Sequence, residues 1–371
     1  MFAIESVCPD TRARAGRLRL AHGEVETPAF MPVGTNGVVK AVDHALLEVL
    51  GYRLILGNTY HLFLRPGLEV MAGFGGLHKF SSWPFNILTD SGGFQIFSLA
   101  TFRKVSDEGI RFRSHIDGSM HSLTPESVIE AQAVIGSDIL MPLDVCTPPG
   151  ITHREALRAL ERTTAWAERS RRSWTAGPAA GSLFGIVQGN FFKDLRERSA
   201  AELAGLDLPG YAIGGLSVGE PRGQFRDFLS HTAALLPEGK PRYVMGIGTP
   251  DYILDAVENG IDMFDCVFPT RVARNGTVLT RRGRLVLKKE ACERRDEPID
   301  PECGCPVCAR YSIGYLRHLV KCGEIQAAVF ATIHNLAFMA DLMKDVRRAL
   351  ARGGFKKFKS EFLEKFGAGP D

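Results

Sequence analysis

Short apolar segments recur along the first 270 residues, and each is followed by glycine or a polar residue and then, in most cases, by a segment of helical periodicity. Strands that are apolar at nearly every position are typical of parallel sheets buried on both faces. Their alternation with helices indicates βα units, and eight units predict a closed (β/α)8 TIM barrel. The predicted strands span residues 28–33, 52–57, 85–89, 137–143, 183–187, 211–215, 242–247 and 261–267.

Helix start signals lie between these strands. Thr124, Pro125 and Glu126 supply an N-cap, a proline and an early acid. Residues 152–173 form a long amphipathic stretch, and Pro221 and Pro250 mark two further helix starts. The pattern therefore assigns residues 1–270 to the barrel.

Two intervals are too long for a plain βα unit. Residues 101–123 alternate and turn like a β-hairpin inserted after the third strand. Residues 271–330 follow the eighth strand and contain an Asn-Gly turn at 275–276, an alternating pair of runs and a C-x-C-x-x-C cluster, so they predict a small zinc-binding subdomain. Residues 331–371 complete a closing helix, predicted near 323–350, and add a basic C-terminal helix.

Composition narrows the class of protein. Apolar residues make up 45% and charged residues 23%, which excludes a wholly disordered, collagenous or disulfide-dense chain. No run of about 20 apolar residues predicts a membrane span. The N-terminus lacks the apolar stretch of a signal peptide, so a cytoplasmic location is expected.

The charge is unevenly distributed. Residues 1–270 carry 25 basic and 30 acidic residues, whereas residues 271–371 carry 20 and 12, so the net charge changes from −5 to +8. The basic C-terminal part could bind a polyanion by counterion release. It could equally consist of solvated helix faces.

Three of the eight cysteines form a C-x-C-x-x-C cluster, Cys303, Cys305 and Cys308, and His334 follows in the predicted closing helix. Three thiolates and an imidazole complete a tetrahedral structural zinc site with no open position for catalysis. A lone helical histidine is more often a packed core residue, and only its position after the cluster favours His334 as a ligand. Most of the other five cysteines are expected to be small buried hydrophobic residues.

The polar residues that end the predicted strands converge at one end of a barrel, where active sites of this fold lie. They include Asp90, Asp144, Gln188 and Asp265, together with several glycines. Paired carboxylates suit chemistry at a glycosidic carbon, with one as nucleophile and one as general acid and base. Each acid alone could instead be a helix cap or a buried hydrogen-bonded carboxylate.

Several long motifs carry a specific resemblance over nearly the whole chain. The motifs are TDSGGFQ at 89–95, GIVQG at 185–189, IGGLSVGE at 213–220, YVMGIG at 243–248 and DMFDCVFPTR at 262–271. With these motifs, the cysteine cluster and His334, the chain resembles the bacterial type of the queuine tRNA-ribosyltransferase family, also called the tRNA-guanine transglycosylase family.

The resemblance implies an activity and a catalytic pair. The family exchanges guanine at the wobble position of tRNAs with a G-U-N anticodon for a 7-deazaguanine, without ATP or a redox cofactor. Asp265 would be the nucleophile that forms a covalent ribosyl ester with the tRNA. Asp90 would be the general acid and base.

The resemblance also implies how the bases are bound. Asp144, Gln188 and Gly215 would read the purine, Phe94 and Met245 would sandwich it, and the Leu216 carbonyl with Glu220 would meet an aminomethyl group. Arg271 and Arg274 would contact the anticodon loop.

Cys146 and Val218 resemble the bacterial pattern, which restricts the pocket to 7-aminomethyl-7-deazaguanine. Val145 and Ser217 depart from the commonest bacterial form, so acceptance of queuine stays open. The family resemblance further implies a homodimer through aromatic contacts at Trp83, Tyr311, Tyr315 and His318.

Two other functions remain open at this point. A non-catalytic tRNA-binding subunit has the same fold in eukaryotic relatives, but the presence of Asp90 and Asp265 opposes it. A barrel enzyme acting on free nucleosides or sugars would leave the basic C-terminal region without a role.

Overall fold

A computed structural model describes residues 2–369. The strands are β1 Phe2–Val7, β2 Arg14–Leu20, β3 Gly23–Thr27, β4 Ala29–Met31, β5 Leu54–Gly57, β6 Asn86–Thr89, β7 Arg103–Val105, β8 Ile110–Arg113, β9 Met120–Leu123, β10 Ile139–Leu140, β11 Ser182–Val187, β12 Gly210–Ile213, β13 Arg242–Val244, β14 Met263–Asp265, β15 Thr277–Thr280 and β16 Gly283–Val286. The helices are α1 His44–Val49, α2 Thr59–Leu64, α3 Leu68–Phe74, α4 Leu77–Ser81, α5 Gly93–Leu99, α6 Pro125–Ile135, α7 His153–Ala176, α8 Lys193–Ala204, α9 Arg222–Leu235, α10 Pro250–Glu258, α11 Phe268–Arg274, α12 Ile313–Cys322, α13 Ile325–Ala351 and α14 Phe355–Gly367.

The predicted barrel is confirmed. Eight parallel strands neighbour one another in chain order, β4, β5, β6, β10, β11, β12, β13 and β14. The barrel closes between β4 and β5, where Leu56 N donates to the Pro32 carbonyl (3.0 Å) and Gly34 N donates to the Leu56 carbonyl (2.7 Å). Each of the eight predicted segments overlaps one of these strands.

An antiparallel sheet of β1, β2 and β3 covers the N-terminal end of the barrel. Its Leu18 and Val25 pack with barrel residues such as Phe184. Arg14 forms a buried ion pair with Asp262, just before β14, and His22 binds Asp138, just before β10. The apolar-run pattern did not predict this sheet, because arginines interrupt β2 and most residues of β1 and β3 are exposed.

The predicted hairpin at 101–123 is a three-stranded antiparallel sheet of β7, β8 and β9. The prediction missed one strand because β7 has three residues, all exposed, and so carries little hydrophobic signal. Of this sheet, β8 buries Ile110 and Phe112 on its inner face. Helix α6 then begins at Pro125 with the predicted Thr124 cap.

After β14, α11 leads into the antiparallel pair β15 and β16, the cysteine cluster and α12. The predicted closing helix is α13. Length and composition would allow α13 to cross a membrane, but 61% of its most apolar stretch is buried. It lies against α11, α12 and β15, as a core helix does.

Candidate active site

Two carboxylates stand at the C-terminal end of the barrel on well-separated strands. Asp90 directly follows β6 and is 8% exposed, and Asp265 ends β14 and is partly exposed. Their charges interact, since Asp265 contributes to raising the Asp90 pKa. The structure therefore brings together the two acids that the sequence predicted as a pair.

The Asp90 carboxylate is held by the first residues after β5. Asn58 Nδ2 donates to Asp90 Oδ2, and Thr59 N donates to Oδ1 (2.9 Å). Burial raises the pKa of Asp90 to about 6, and the hydrogen bonds from Asn58 and Thr59 oppose this shift. A carboxyl with this pKa can both donate and accept a proton near neutral pH.

The Asp265 carboxylate is held through one oxygen. Tyr243 Oη and Gly246 N both donate to Oδ1, the latter at 2.9 Å. Burial raises the pKa of Asp265, whereas these two hydrogen bonds lower it. Oδ2 accepts no hydrogen bond from any group in residues 2–369, which is the arrangement that an attacking oxygen needs.

A second polar group follows β10 and β11, the next two strands after β6 in the barrel. Gln188 Nε2 donates to Asp144 Oδ2 (2.8 Å), and Ser91 Oγ is 3.4 Å from Asp144 Oδ1. Burial raises the pKa of Asp144. Gly215 lies beside this pair, because a Cβ added to it would stand 2.7 Å from Gln188 Oε1. Asp144, Gln188 and Gly215 thus form one polar wall.

The remaining predicted base contacts surround the same barrel end. Phe94 is 52% exposed in the first turn of α5, and Met245 is half-buried after β13. Leu216 is buried, whereas Cys146 and Val218 are partly exposed. Glu220 closes the loop after β12, where its carboxylate accepts hydrogen bonds from Ser217 N and Val218 N.

Arg271 and Arg274 are exposed on α11, which begins three residues after Asp265. Arg274 Nη1 also donates to the Thr270 carbonyl (3.0 Å). Both guanidinium groups therefore lie on the segment that leaves the barrel mouth.

The cysteine cluster forms a separate centre between the β15–β16 pair and α13. His334 Nδ1 lies 3.7, 3.7 and 3.2 Å from the sulfurs of Cys303, Cys305 and Cys308. A tetrahedral zinc ion with ordinary bond lengths would set such nitrogen–sulfur separations at about 3.5 Å. His334 Nε2 lies 2.7 Å from the Leu279 carbonyl, which fixes the tautomer and leaves Nδ1 free to bind a metal.

One predicted dimer contact is wrong for this chain. Trp83 is fully buried, and its Nε1 donates to the Asn86 carbonyl (3.0 Å), so it cannot present a surface for a partner. Tyr315 is 45% exposed and His318 is exposed, and Tyr311 stacks between Tyr315 and Phe330.

Sequence reasoning missed three polar groups of this site: Asn58, Thr59 and Tyr243. Asn58 directly follows β5, so the rule that selected Asp90 could have selected it. Tyr243 lies within a buried strand, where nothing in the sequence separates it from a core residue.

The comparisons with known proteins agree with this geometry. A sequence model of the family described as queuine tRNA-ribosyltransferase matches residues 8–368. The chain belongs to the queuine tRNA-ribosyltransferase family. It is therefore a tRNA-guanine transglycosylase, a pentosyltransferase of tRNA processing.

Queuine tRNA-ribosyltransferases of several bacteria match nearly the full length. The protein of Pelotomaculum thermopropionicum is 53% identical over 365 residues, 98% of each chain. That of Desulforapulum autotrophicum is 53% identical over 364 residues, again 98% of each. That of Borrelia hermsii is 50% identical over 371 residues, 100% of this chain and 99% of its own. The predicted family is thus confirmed, and the transglycosylase activity with it.

Proposed function

We propose that this transglycosylase exchanges guanine at the wobble position of G-U-N tRNAs for 7-aminomethyl-7-deazaguanine through a covalent intermediate on Asp265. The observation that carries the proposal is the contrast between two interacting carboxylates at one barrel mouth. Within residues 2–369, one oxygen of Asp265 has no hydrogen-bond donor, and Asp90 has a pKa of about 6. An oxygen left open for attack suits a nucleophile, and a carboxyl that can hold its proton near neutral pH suits a general acid.

In the first half of the reaction, Asp265 Oδ2 attacks the anomeric carbon of the nucleotide. The bond from this carbon to guanine breaks as the bond to Asp265 forms, and Asp90 donates its proton to the departing base. Tyr243 Oη and Gly246 N hold the other oxygen of Asp265 and orient the attack. General acid catalysis contributes roughly 10²–10⁴ in rate at such a step.

In the second half, Asp90 accepts a proton from the incoming base, which attacks the same carbon and releases the Asp265 carboxylate. Two displacements retain the configuration of the ribose. Asp90 returns to its protonated form, so the cycle needs no external cofactor.

The polar wall supports recognition of a purine. The Asp144 carboxylate can accept from a ring N–H and an exocyclic amine, whereas Gln188 Nε2 and Gly215 N–H can donate to a carbonyl oxygen. Phe94 and Met245 would stack on the two faces of the flipped base. The Leu216 carbonyl and Glu220 would meet the aminomethyl group, with Cys146 and Val218 bounding the pocket.

The choice of incoming base can be tested directly. tRNA carrying labelled guanine at the wobble position is incubated with 7-aminomethyl-7-deazaguanine or with queuine, and loss of label is followed. We expect faster loss with the aminomethyl base. Faster loss with queuine would identify a queuine salvage enzyme instead, and no loss with either base would reject both.

The reaction should slow on the alkaline side of about pH 6, because Asp90 loses the proton that it must donate to guanine. Asn58→Ala removes a hydrogen bond that lowers the Asp90 pKa, so we expect this alkaline limb to move to higher pH. The measurement is the rate of guanine release from tRNA between pH 5 and pH 9, in single turnover. An unchanged limb in Asn58→Ala would contradict the assignment of Asp90.

tRNA binding is proposed to involve Arg271 and Arg274 and the basic C-terminal third. We expect the affinity to fall steeply with salt, and Arg271→Ala to reduce the slope of log K against log salt by about 1. Arg172→Ala is the control, because Arg172 is exposed on α7, on the outside of the barrel. Equal slopes for Arg271→Ala and wild type would exclude Arg271 as a phosphate contact.

We propose that the metal centre holds one structural zinc ion, bound by Cys303, Cys305, Cys308 and His334. Four protein ligands leave no open coordination position, so the ion would stabilise the fold rather than take part in base exchange. Zinc-bound thiolates persist in a reducing compartment, and tRNA is the substrate, so we also propose a cytoplasmic location.

A homodimer is proposed through Tyr311, Tyr315 and His318, without Trp83. Tyr315→Ala should weaken dimerisation by about 30-fold or more, since exposed aromatic anchors often contribute at least 2 kcal/mol. Val7→Ala on β1 is the control, because Val7 is 60% exposed on the sheet at the other barrel end. Sedimentation velocity over a concentration series measures the dimer dissociation constant of each variant. Equal dissociation constants for Tyr315→Ala and wild type would reject this contact.

A further inference from the structure

Arg196 lies fully buried on α8, directly behind the polar wall of the site. Its Nε donates to the Asn190 carbonyl (2.8 Å), and its Nη2 lies 3.2 Å from the Gly214 carbonyl and 3.4 Å from the Gly215 carbonyl. The partners of the guanidinium are therefore backbone carbonyls of the loops that follow β11 and β12.

The charge of Arg196 is not neutralised by direct contact. Within residues 2–369, no carboxylate oxygen lies within 4.0 Å of its guanidinium nitrogens. Burial lowers the pKa of Arg196 to about 9, and the charge of Glu220 acts in the opposite direction. The group stays protonated at neutral pH. A buried cation without an ion pair costs stability, so a methionine or leucine would serve packing alone better.

The peptide group between Gly214 and Gly215 connects this cation to the site. Its carbonyl accepts from Arg196 Nη2, and its N–H belongs to Gly215. Within the described residues, that N–H donates to no other protein group. A hydrogen bond to the carbonyl of a peptide strengthens its N–H as a donor.

We propose that Arg196 is a positioning residue that orients and polarises the Gly214–Gly215 peptide, so that Gly215 N–H stabilises negative charge on the carbonyl oxygen of departing guanine. When the bond from the anomeric carbon to guanine breaks, its electron pair moves onto the base and is delocalised to this oxygen. A preorganised donor in a buried site acts most strongly at that stage. The proposal rests on the base pocket proposed above.

The test compares two bases that differ in the carbonyl. Guanine has the carbonyl oxygen and the ring N–H next to it, whereas 2-aminopurine keeps the ring and the exocyclic amine but lacks both. The KM for guanine and kcat are measured by incorporation of labelled guanine into tRNA, and 2-aminopurine is used as a competitor. The variants are Arg196→Met, Arg196→Lys and the control Arg198→Met, whose arginine is exposed on the same helix and pairs with Glu161 and Glu202.

We expect Arg196→Met to lower kcat for guanine by about 10²-fold and to raise the KM for guanine about tenfold. The inhibition constant of 2-aminopurine should change by less than about twofold, because this base makes no bond to Gly215 N–H. Arg196→Lys should recover part of kcat, since it keeps the charge. Arg198→Met should behave as wild type.

The proposal would be overturned if Arg196→Met weakened the binding of guanine and of 2-aminopurine equally, or if its kcat were unchanged. The ratio of the KM for guanine to the inhibition constant of 2-aminopurine depends only on the folded enzyme. It therefore tests the proposal even if the variant is less stable. Asp144→Asn tests the base pocket itself, because this variant should weaken the binding of both bases. If Asp144→Asn binds guanine and 2-aminopurine as wild type does, the base pocket itself is rejected. If Asp144→Asn weakens the binding of both bases but Arg196→Met affects the two bases equally, only the role of Arg196 is rejected.

Discussion

Asp265→Asn should abolish the covalent tRNA adduct and reduce guanine exchange by at least about 10⁴-fold. The neutral amide is a poor nucleophile and a poor leaving group at the anomeric carbon, so both halves of the reaction lose their carboxylate. The fold should be retained, because asparagine keeps an oxygen that can accept from Tyr243 Oη and Gly246 N. The measurements are incorporation of labelled guanine and detection of the adduct on a denaturing gel.

Asp227→Asn is the matched control for this substitution. The same atomic change is made there at an exposed aspartate of α9 that pairs with Lys193 and lies away from the barrel mouth. We expect wild-type exchange and a wild-type adduct from this variant. Full exchange by Asp265→Asn would exclude Asp265 as nucleophile, and an adduct in that variant would require attack by another residue.

Chain topology allowed the sequence to place the two candidate acids at one end of the barrel. In a barrel of parallel strands, all C-terminal strand ends meet at one face, so Asp90 and Asp265 were expected near each other although 175 positions separate them. The periodicity of the apolar runs was enough for that inference. It required no knowledge of any side-chain contact.

The sequence could not reveal Arg196, the residue proposed above to position the Gly214–Gly215 peptide. Arg196 and Arg198 stand two positions apart in one charged helix, yet one is fully buried and the other pairs with surface acids. Trp83 likewise could be a partner contact or a core residue by composition. Only the packing of neighbouring elements distinguishes these alternatives, since burial is a property of the folded chain.

The sheet of β1, β2 and β3 was missed for a related reason. Polar residues interrupt its strands, whereas the prediction of the barrel rests on continuous apolar runs. Its position became clear only from long-range pairs such as Arg14 with Asp262. Since this sheet covers the barrel end opposite the carboxylates, we infer that it serves stability rather than catalysis.

Stability should depend most strongly on the metal centre. Cys305→Ser replaces a buried sulfur of the cluster with a hydroxyl that binds zinc far less well, and the three remaining ligands leave the ion exposed to loss. We expect bound zinc to fall from about one per chain to near zero, and the free energy of unfolding to fall by more than about 4 kcal/mol. The measurements are metal analysis of the purified protein and unfolding by denaturant, each before and after treatment with a chelator.

The control for this prediction is Cys322→Ser, which makes the same atomic change at an exposed cysteine on α12 outside the cluster. It should keep zinc and stability. Chelation should destabilise wild type and Cys322→Ser equally, but it should leave Cys305→Ser unchanged, because that variant has no ion to lose. A Cys305→Ser protein that keeps one zinc per chain, or a wild type that loses zinc without loss of stability, would contradict a structural role for the centre.

Because the four ligands come from a loop and from α13, loss of the ion frees the loop while the barrel strands keep their own core. We therefore expect the region of 277–310 to lose protection from hydrogen exchange first.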